Sequence, residues 1–202
     1  MSDTTKRKVH MISLGCPKNQ VDSEVMLGHL AQDGYELVDS PDGADVVVVN
    51  TCSFIDQAKE ESIDVITEMG ELKRAGNVNK LVVAGCLVQR YAKELQDSLP
   101  EVDHFIGTGA VETIRQTLKN NDLFSLQSAN GAFLPIIQTT SRVPASEEQK
   151  EYAKQWLHDP DFTLTSASPR KRTGHWFSAY VKVSEGCSNT CAFCIIPQLR
   201  GK

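Results

Sequence analysis

The sequence has no long hydrophobic run. Its densest aliphatic stretch, Val46-Val47-Val48-Val49, is far short of a membrane span. It shows no secretory leader either: Lys6, Arg7 and Lys8 are basic, but no apolar core region follows them. Basic charge is not in excess, since 21 Lys and Arg against 26 Asp and Glu give a net charge of −5. That balance argues against a protein that grips bare nucleic acid by charge alone. Repeats and low-complexity tracts are absent. These absences predict a cytoplasmic chain with no membrane partner and no strong direct nucleic-acid binding. What is present is globular: 202 residues, 40% hydrophobic and 23% charged, room for one domain and part of a second.

From residue 9 to about residue 118 short apolar runs alternate with amphipathic stretches of helical length. Strands are predicted over 11–14, 35–38, 44–49, 80–84 and 102–106. Helices are predicted over 20–32, 56–72, 87–99 and 110–118. Residues 44–49 are apolar throughout, as befits a strand covered on both faces. Strand–helix alternation of this kind predicts an α/β fold with a parallel sheet and helices on both faces.

Beyond residue 119 the periodicity fades, and Pro135, Pro144, Pro160 and Pro169 interrupt the chain. A capping box at Ser146-Glu147-Glu148-Gln149 predicts one helix there. The run Pro169-Arg170-Lys171-Arg172 reads as solvated surface rather than a phosphate site. Residues 176–183 alternate as a strand would, with Phe177, Ala179, Val181 and Val183 on one face. The expected division is a flexible tail at 1–8, an α/β domain at 9–120, a linker at 121–175, and the truncated start of a further domain at 176–202.

Six cysteines fall into two sets of three, which disulfide pairing does not explain, least of all in a reducing compartment. Cys16, Cys52 and Cys86 each follow the carboxyl end of a predicted strand. In an open parallel sheet those ends share one edge, so the three thiols can meet. Gly15 and Gly85 precede two of them, allowing close backbone approach. Three convergent thiolates suit an iron–sulfur cluster with one iron lacking a protein ligand. Zinc, and three buried structural cysteines, are the alternatives. Cys187-x-x-x-Cys191-x-x-Cys194 is tighter: three thiols within one loop can wrap three corners of a cubane. Asn19 and Asn50 lie beside these loops and are candidates to hydrogen-bond sulfur or a coordinated group. Asparagine after a strand is also an ordinary turn or cap residue.

The later cysteine motif, with Phe193 before its last cysteine and Val183-Ser184-Glu185-Gly186 ahead of it, resembles the signature of radical S-adenosylmethionine enzymes. With three strand-end cysteines upstream, the chain resembles the methylthiotransferase family. Ser13-Leu14-Gly15-Cys16-Pro17-Lys18-Asn19, Val21-Asp22-Ser23-Glu24, Asn50-Thr51-Cys52-Ser53-Phe54-Ile55, Cys194-Ile195-Ile196-Pro197 and Arg200-Gly201 carry the likeness. Pro17-Lys18 resembles the branch acting on a ribosomal protein, where the tRNA-modifying branch usually has Gln-Met.

The resemblance implies a Rossmann/flavodoxin-like N-terminal domain, then a linker and the first strand of a radical S-adenosylmethionine partial (β/α) barrel. It implies two 4Fe-4S clusters, one on Cys16, Cys52 and Cys86 and one on Cys187, Cys191 and Cys194, the second binding S-adenosylmethionine. The implied reaction is methylthiolation of an aspartate β-carbon in the twelfth small-subunit ribosomal protein. S-adenosylmethionine would serve as radical source and methyl donor, and an electron-donor protein as partner. The alternatives are tRNA adenosine methylthiolation, or a cluster-binding fragment inactive by itself. Because the rest of the expected barrel is missing, the chain alone is expected to be inactive.

Overall fold

A computed structural model describes residues 6–119 and 167–201. The order is β1 (Lys8–Ser13), α1 (Pro17–Gln32), β2 (Glu36–Leu37), β3 (Val46–Thr51), α2 (Asp56–Arg74), β4 (Lys80–Gly85), α3 (Cys86–Ser98) and β5 (His104–Ile106). A 3-10 segment (Thr108–Thr113), α4 (Ile114–Lys119) and a short helix α5 (Ile196–Arg200) follow. Each of the five strands and four helices predicted before residue 119 is present, with ends moved by a few residues. The last of those helices opens with its 3-10 turn at Thr108. The capping box at 146–149 and most of the expected linker lie outside the described residues.

All strands are parallel, in the order β2-β1-β3-β4-β5. This is the flavodoxin-like arrangement, whose order reverses between β1 and β3. β3 is central and buried at every position, so its four valines serve two cores. Val46 and Val48 join Val25, Met26 and Leu30 of α1 and Ile114 of α4 on one face. Val47 and Val49 join Ile66 and Met69 of α2 and Leu87 and Leu95 of α3 on the other. The alternation along a pleated strand makes both faces apolar, which is why no polar residue interrupts 46–49.

α1 ends where Gly34 takes a positive φ of 83°. The Gly34 N–H donates to Ala31 O at 3.1 Å and the Tyr35 N–H to Leu30 O at 3.0 Å, satisfying two terminal carbonyls. Nothing lies within 4 Å of where a Gly34 Cβ would be.

Two expectations for the later segment fail. Residues 176–183 are irregular rather than a strand. A strand needs a neighbour to take its backbone hydrogen bonds, and among the described residues none runs beside this stretch. Its alternation is therefore not converted into burial: Trp176, Val181 and Val183 are 85%, 79% and 92% exposed. Arg170, read as solvated, is instead paired with Glu24 of α1 at 2.5 Å. The backbone at Pro169 crosses α1 so closely that a Cβ at Gly28 would lie 2.4 Å from its carbonyl oxygen.

Candidate functional site: a cysteine-lined sheet edge

β1, β3 and β4 pair in register, with Thr51 of β3 opposite Gly85 of β4 and Ser13 of β1 opposite Asn50 of β3. The chain leaves all three at the same edge, and Cys16, Cys52 and Cys86 sit on those exits. All six cysteines are free thiols; Cys16 is exposed while Cys52 and Cys86 are buried. Cys16 occupies the N-cap position of α1 with extended backbone, and Cys86 is the first residue of α3. Both thiols thus stand at the positive end of a helix dipole.

Two glycines make the approach possible. Gly15 has φ +87°, and a Cβ there would lie 2.7 Å from Cys52 Cβ and 3.0 Å from Cys52 Sγ. The Cys16 loop therefore passes directly over the Cys52 side chain. Gly85 has φ +99° and ψ −157°. A Cβ there would stand 2.3 Å from Asn50 Oδ1 and 2.6 Å from Thr51 O.

Asn19 is fully buried and joins the loops. Its Nδ2 donates to Leu14 O at 3.0 Å and Thr51 O at 2.8 Å, the carbonyls just ahead of Gly15-Cys16 and Cys52. The Cys86 thiol points to Asn19 Oδ1 at 3.8 Å. Asn50 does not touch sulfur. Its Nδ2 donates to Asn19 O at 2.8 Å and Ser23 Oγ at 3.0 Å, so it supports Asn19 from beneath. Ser62 accepts from the Cys52 N–H at 3.2 Å, and Ser53 donates to Cys86 O at 3.0 Å. The two serine bonds engage backbone rather than sulfur.

Burial pushes the Cys86 thiol up; the Arg200 guanidinium beside it pulls it back, and the nearby charges of Cys52 and Cys16 raise it further. Cys86 thus lies within electrostatic reach of both Cys16 and Cys52. Among the described residues, however, no three His, Cys, Asp or Glu side chains are grouped to hold a metal ion. The first triad fits an iron–sulfur cluster in donor chemistry and shared edge; a cluster spreads its ligands over several irons, so its thiolates need not crowd about one point. For the later triad, Cys187 and Cys194 are half-buried and Cys191 exposed, with the Cys194 N–H donating to Cys191 O at 3.1 Å. This fits a tight loop bearing three thiols without gathering them.

The residues that join the two loops had no role predicted from sequence. Arg200, 4% exposed, donates from Nη2 to Asp22 Oδ2 at 2.9 Å and to Asn19 Oδ1 at 2.5 Å, and from Nη1 to Glu185. Lys182 pairs with Asp22 and, at 2.7 Å, with Glu185. Burial pushes the Asp22 carboxyl up, and the Arg200 and Lys182 cations pull it back. The available signal was Asp22, an acid one turn after Asn19 and flanked by Val21 and Val25, which demands a buried cation from elsewhere in the chain.

Residues 8–107 match a family model described as Uncharacterized protein family UPF0004. The chain is 48% identical over 194 residues to the ribosomal protein uS12 methylthiotransferase RimO of Anaeromyxobacter sp. (strain K), covering 96% of this chain and 35% of that protein. It is 45% identical over 201 residues to the RimO of Myxococcus xanthus (strain DK1622), covering 100% and 36%. The RimO of Geobacter sulfurreducens is 44% identical over 196 residues, covering 97% and 38%. The chain thus spans well under half the length of these relatives.

Proposed function

We propose that this chain, whose α/β unit is a UPF0004 domain, forms the cysteine-bearing part of a methylthiotransferase that acts on ribosomal protein uS12. One observation carries the reading. Three free thiols stand on adjacent strand exits of the α/β unit, in a chain 44–48% identical along nearly its full length to uS12 methylthiotransferases. No relative quoted above is named for tRNA modification, so the tRNA alternative has nothing specific to favour it.

In this reading Cys16, Cys52 and Cys86 hold one 4Fe-4S cluster, and Cys187, Cys191 and Cys194 hold a second that also takes S-adenosylmethionine. When bound, these groups supply the one-electron chemistry and the methylthio group that no side chain can provide. The acceptor is an aspartate β-carbon, and an electron-donor protein reduces the site. The chain's own residues prepare it. Gly15 brings the Cys16 loop against the Cys52 side chain, Gly85 lets β4 close against Thr51, and Cys16 and Cys86 stand at the amino termini of α1 and α3. Asn19 fixes the Cys16 and Cys52 loops against each other, and Asn50 fixes Asn19. Burial of Cys52 and Cys86 keeps water from two of the three thiols.

The test is anaerobic incubation of the complete protein with reductant, S-adenosylmethionine, and either purified uS12 or tRNA. A methylthio mass gained by uS12 alone supports the reading, and gain by tRNA alone overturns it. Iron and sulfide analysis of the same preparation is expected to give about eight irons per chain, falling to about four on Cys86→Ala. An unchanged iron content in that variant would remove Cys86 from the ligand set.

A further inference from the structure

Arg200 does more than neutralise Asp22. Four charged side chains, Arg200, Lys182, Asp22 and Glu185, meet with exposures of 4%, 7%, 3% and 10%. Burial of this kind is costly unless each charge is partnered, and here each has at least two partners. The guanidinium faces three acceptors on two pieces of chain: Asp22 and Asn19 on α1, and Glu185 just ahead of Cys187. A planar fork can hold three acceptors in fixed directions, which a lysine ammonium cannot.

The position of Glu185 and Arg200 gives the cluster its meaning. The Cys187 N–H donates to Gly201 O at 3.0 Å, and a Cβ at Gly186 would lie 1.7 Å from that same oxygen. Residues 185–187 and 200–201 thus form the neck of a closed loop, with Cys187 at the neck and Cys191 and Cys194 inside it. Lys18 of α1 donates to Glu185 O, and Thr108 donates to Leu199 O at 2.6 Å, so both sides of the neck are tied to the α/β unit. On its other side, Asn19 touches Cys86 and ties the Cys16 and Cys52 loops. A continuous chain of contacts runs Cys86–Asn19–Arg200–Glu185–neck.

We propose that Arg200 is a positioning residue that sets the placement of the later cysteine loop relative to the three strand-end thiols. It matters for catalysis only if both triads serve one site, but the geometry is testable without any cofactor. A purely stabilising contact would loosen the whole fold when lost; a positioning contact frees the loop while the sheet stays intact.

The experiment uses the reduced, metal-free full chain. Nitroxides are attached to the two exposed thiols, Cys16 and Cys191, in a background with the other four cysteines changed to alanine. Their distance distribution is compared for Arg200, Arg200→Lys and Arg200→Gln. Arg200→Gln is expected to broaden it and Arg200→Lys to broaden it less. In the chain with all native cysteines, Arg200→Gln is expected to raise hydrogen exchange of the Cys187 N–H, the neck amide bonded to Gly201 O, by at least about tenfold, with exchange in β3 and β4 unchanged. If Arg200→Gln costs the sheet its protection, Glu185→Gln replaces it, removing only the neck-side partner. That variant is expected to raise exchange at the neck while β3 and β4 keep their protection. A distribution and a neck exchange rate that stay at wild-type values in a folded variant overturn the proposal. None of these readouts depends on iron, S-adenosylmethionine or turnover, so a failed methylthiolation assay and a failed positioning role are told apart.

Discussion

Gly85→Ala is the most demanding single change the sheet edge offers. Gly85 closes β4 with φ +99° and ψ −157°, a region that only glycine occupies without strain, costing other residues roughly 1–3 kcal/mol. The added methyl also has nowhere to go. Two of its three nearest neighbours, at 2.6 and 2.9 Å, are backbone O and N of Thr51, and Thr51 is held in register opposite Gly85. The third, Asn50 Oδ1 at 2.3 Å, belongs to the side chain that supports Asn19. Overpacking of a tight site costs about 1–3 kcal/mol, so the two effects together predict a loss of roughly 2–6 kcal/mol. That is a large share of the ~5–15 kcal/mol that ordinary domains possess. Gly34→Ala supplies the control. It too has positive φ, but open space where the methyl would stand, so strain of about 1–2 kcal/mol is its whole cost. Urea denaturation of both variants gives the comparison, with equal m values expected. A Gly85→Ala variant within about 0.5 kcal/mol of Gly34→Ala would refute the steric argument and with it the close apposition of the Cys52 and Cys86 loops.

Other consequences are open to measurement. Ile66→Ala removes a fully buried side chain of α2 and is expected to cost about 2–5 kcal/mol, whereas Trp176→Ala, at an 85% exposed position, should stay within about 0.5 kcal/mol by the same denaturation assay. Burial lowers the pKa of His29 and of His104. Both are neutral in the fold and take up protons more readily once unfolded. Their contribution is therefore complete above the unfolded value near 6.5 and is lost as pH falls below it. Thermal melts between about pH 7.5 and pH 5.5 should show falling Tm, and His29→Leu should flatten that slope. Asp33 acts in a lower window: hydrogen bonding to Arg115 holds its carboxyl down to about 2. Arg115→Gln should thus weaken the fold at neutral pH, with the difference vanishing as acid titrates Asp33.

The α/β unit was legible because its signals are local. The four valines of β3, the amphipathic turns of α2 and the short connections each constrain structure within a dozen residues. So was the edge that Cys16, Cys52 and Cys86 share, because parallel topology sends every strand exit to one side. The partners of Asp22 and Glu24 were not legible from α1 alone. Both face outward from the α1 core stripe, and they are covered only because Lys182, Arg200, Arg170 and Thr173 return from far along the chain. The stretch 176–183 misleads for the converse reason. Alternation measures what a strand would bury if it had a neighbour, and the described residues provide none.

The two cysteine sets differ in how far apart in the chain their members stand. Cys16, Cys52 and Cys86 come together only when β1, β3 and β4 are paired. Anything that requires all three is captured by the native state alone, and its binding free energy adds to folding free energy by mass action. Cys187, Cys191 and Cys194 are neighbours in any conformation, so an unfolded chain can capture the same ligand and the gain largely cancels. Thermodynamic coupling between loading and stability therefore resides in the dispersed triad, and the compact one inherits it only through the charged neck that binds it to α1.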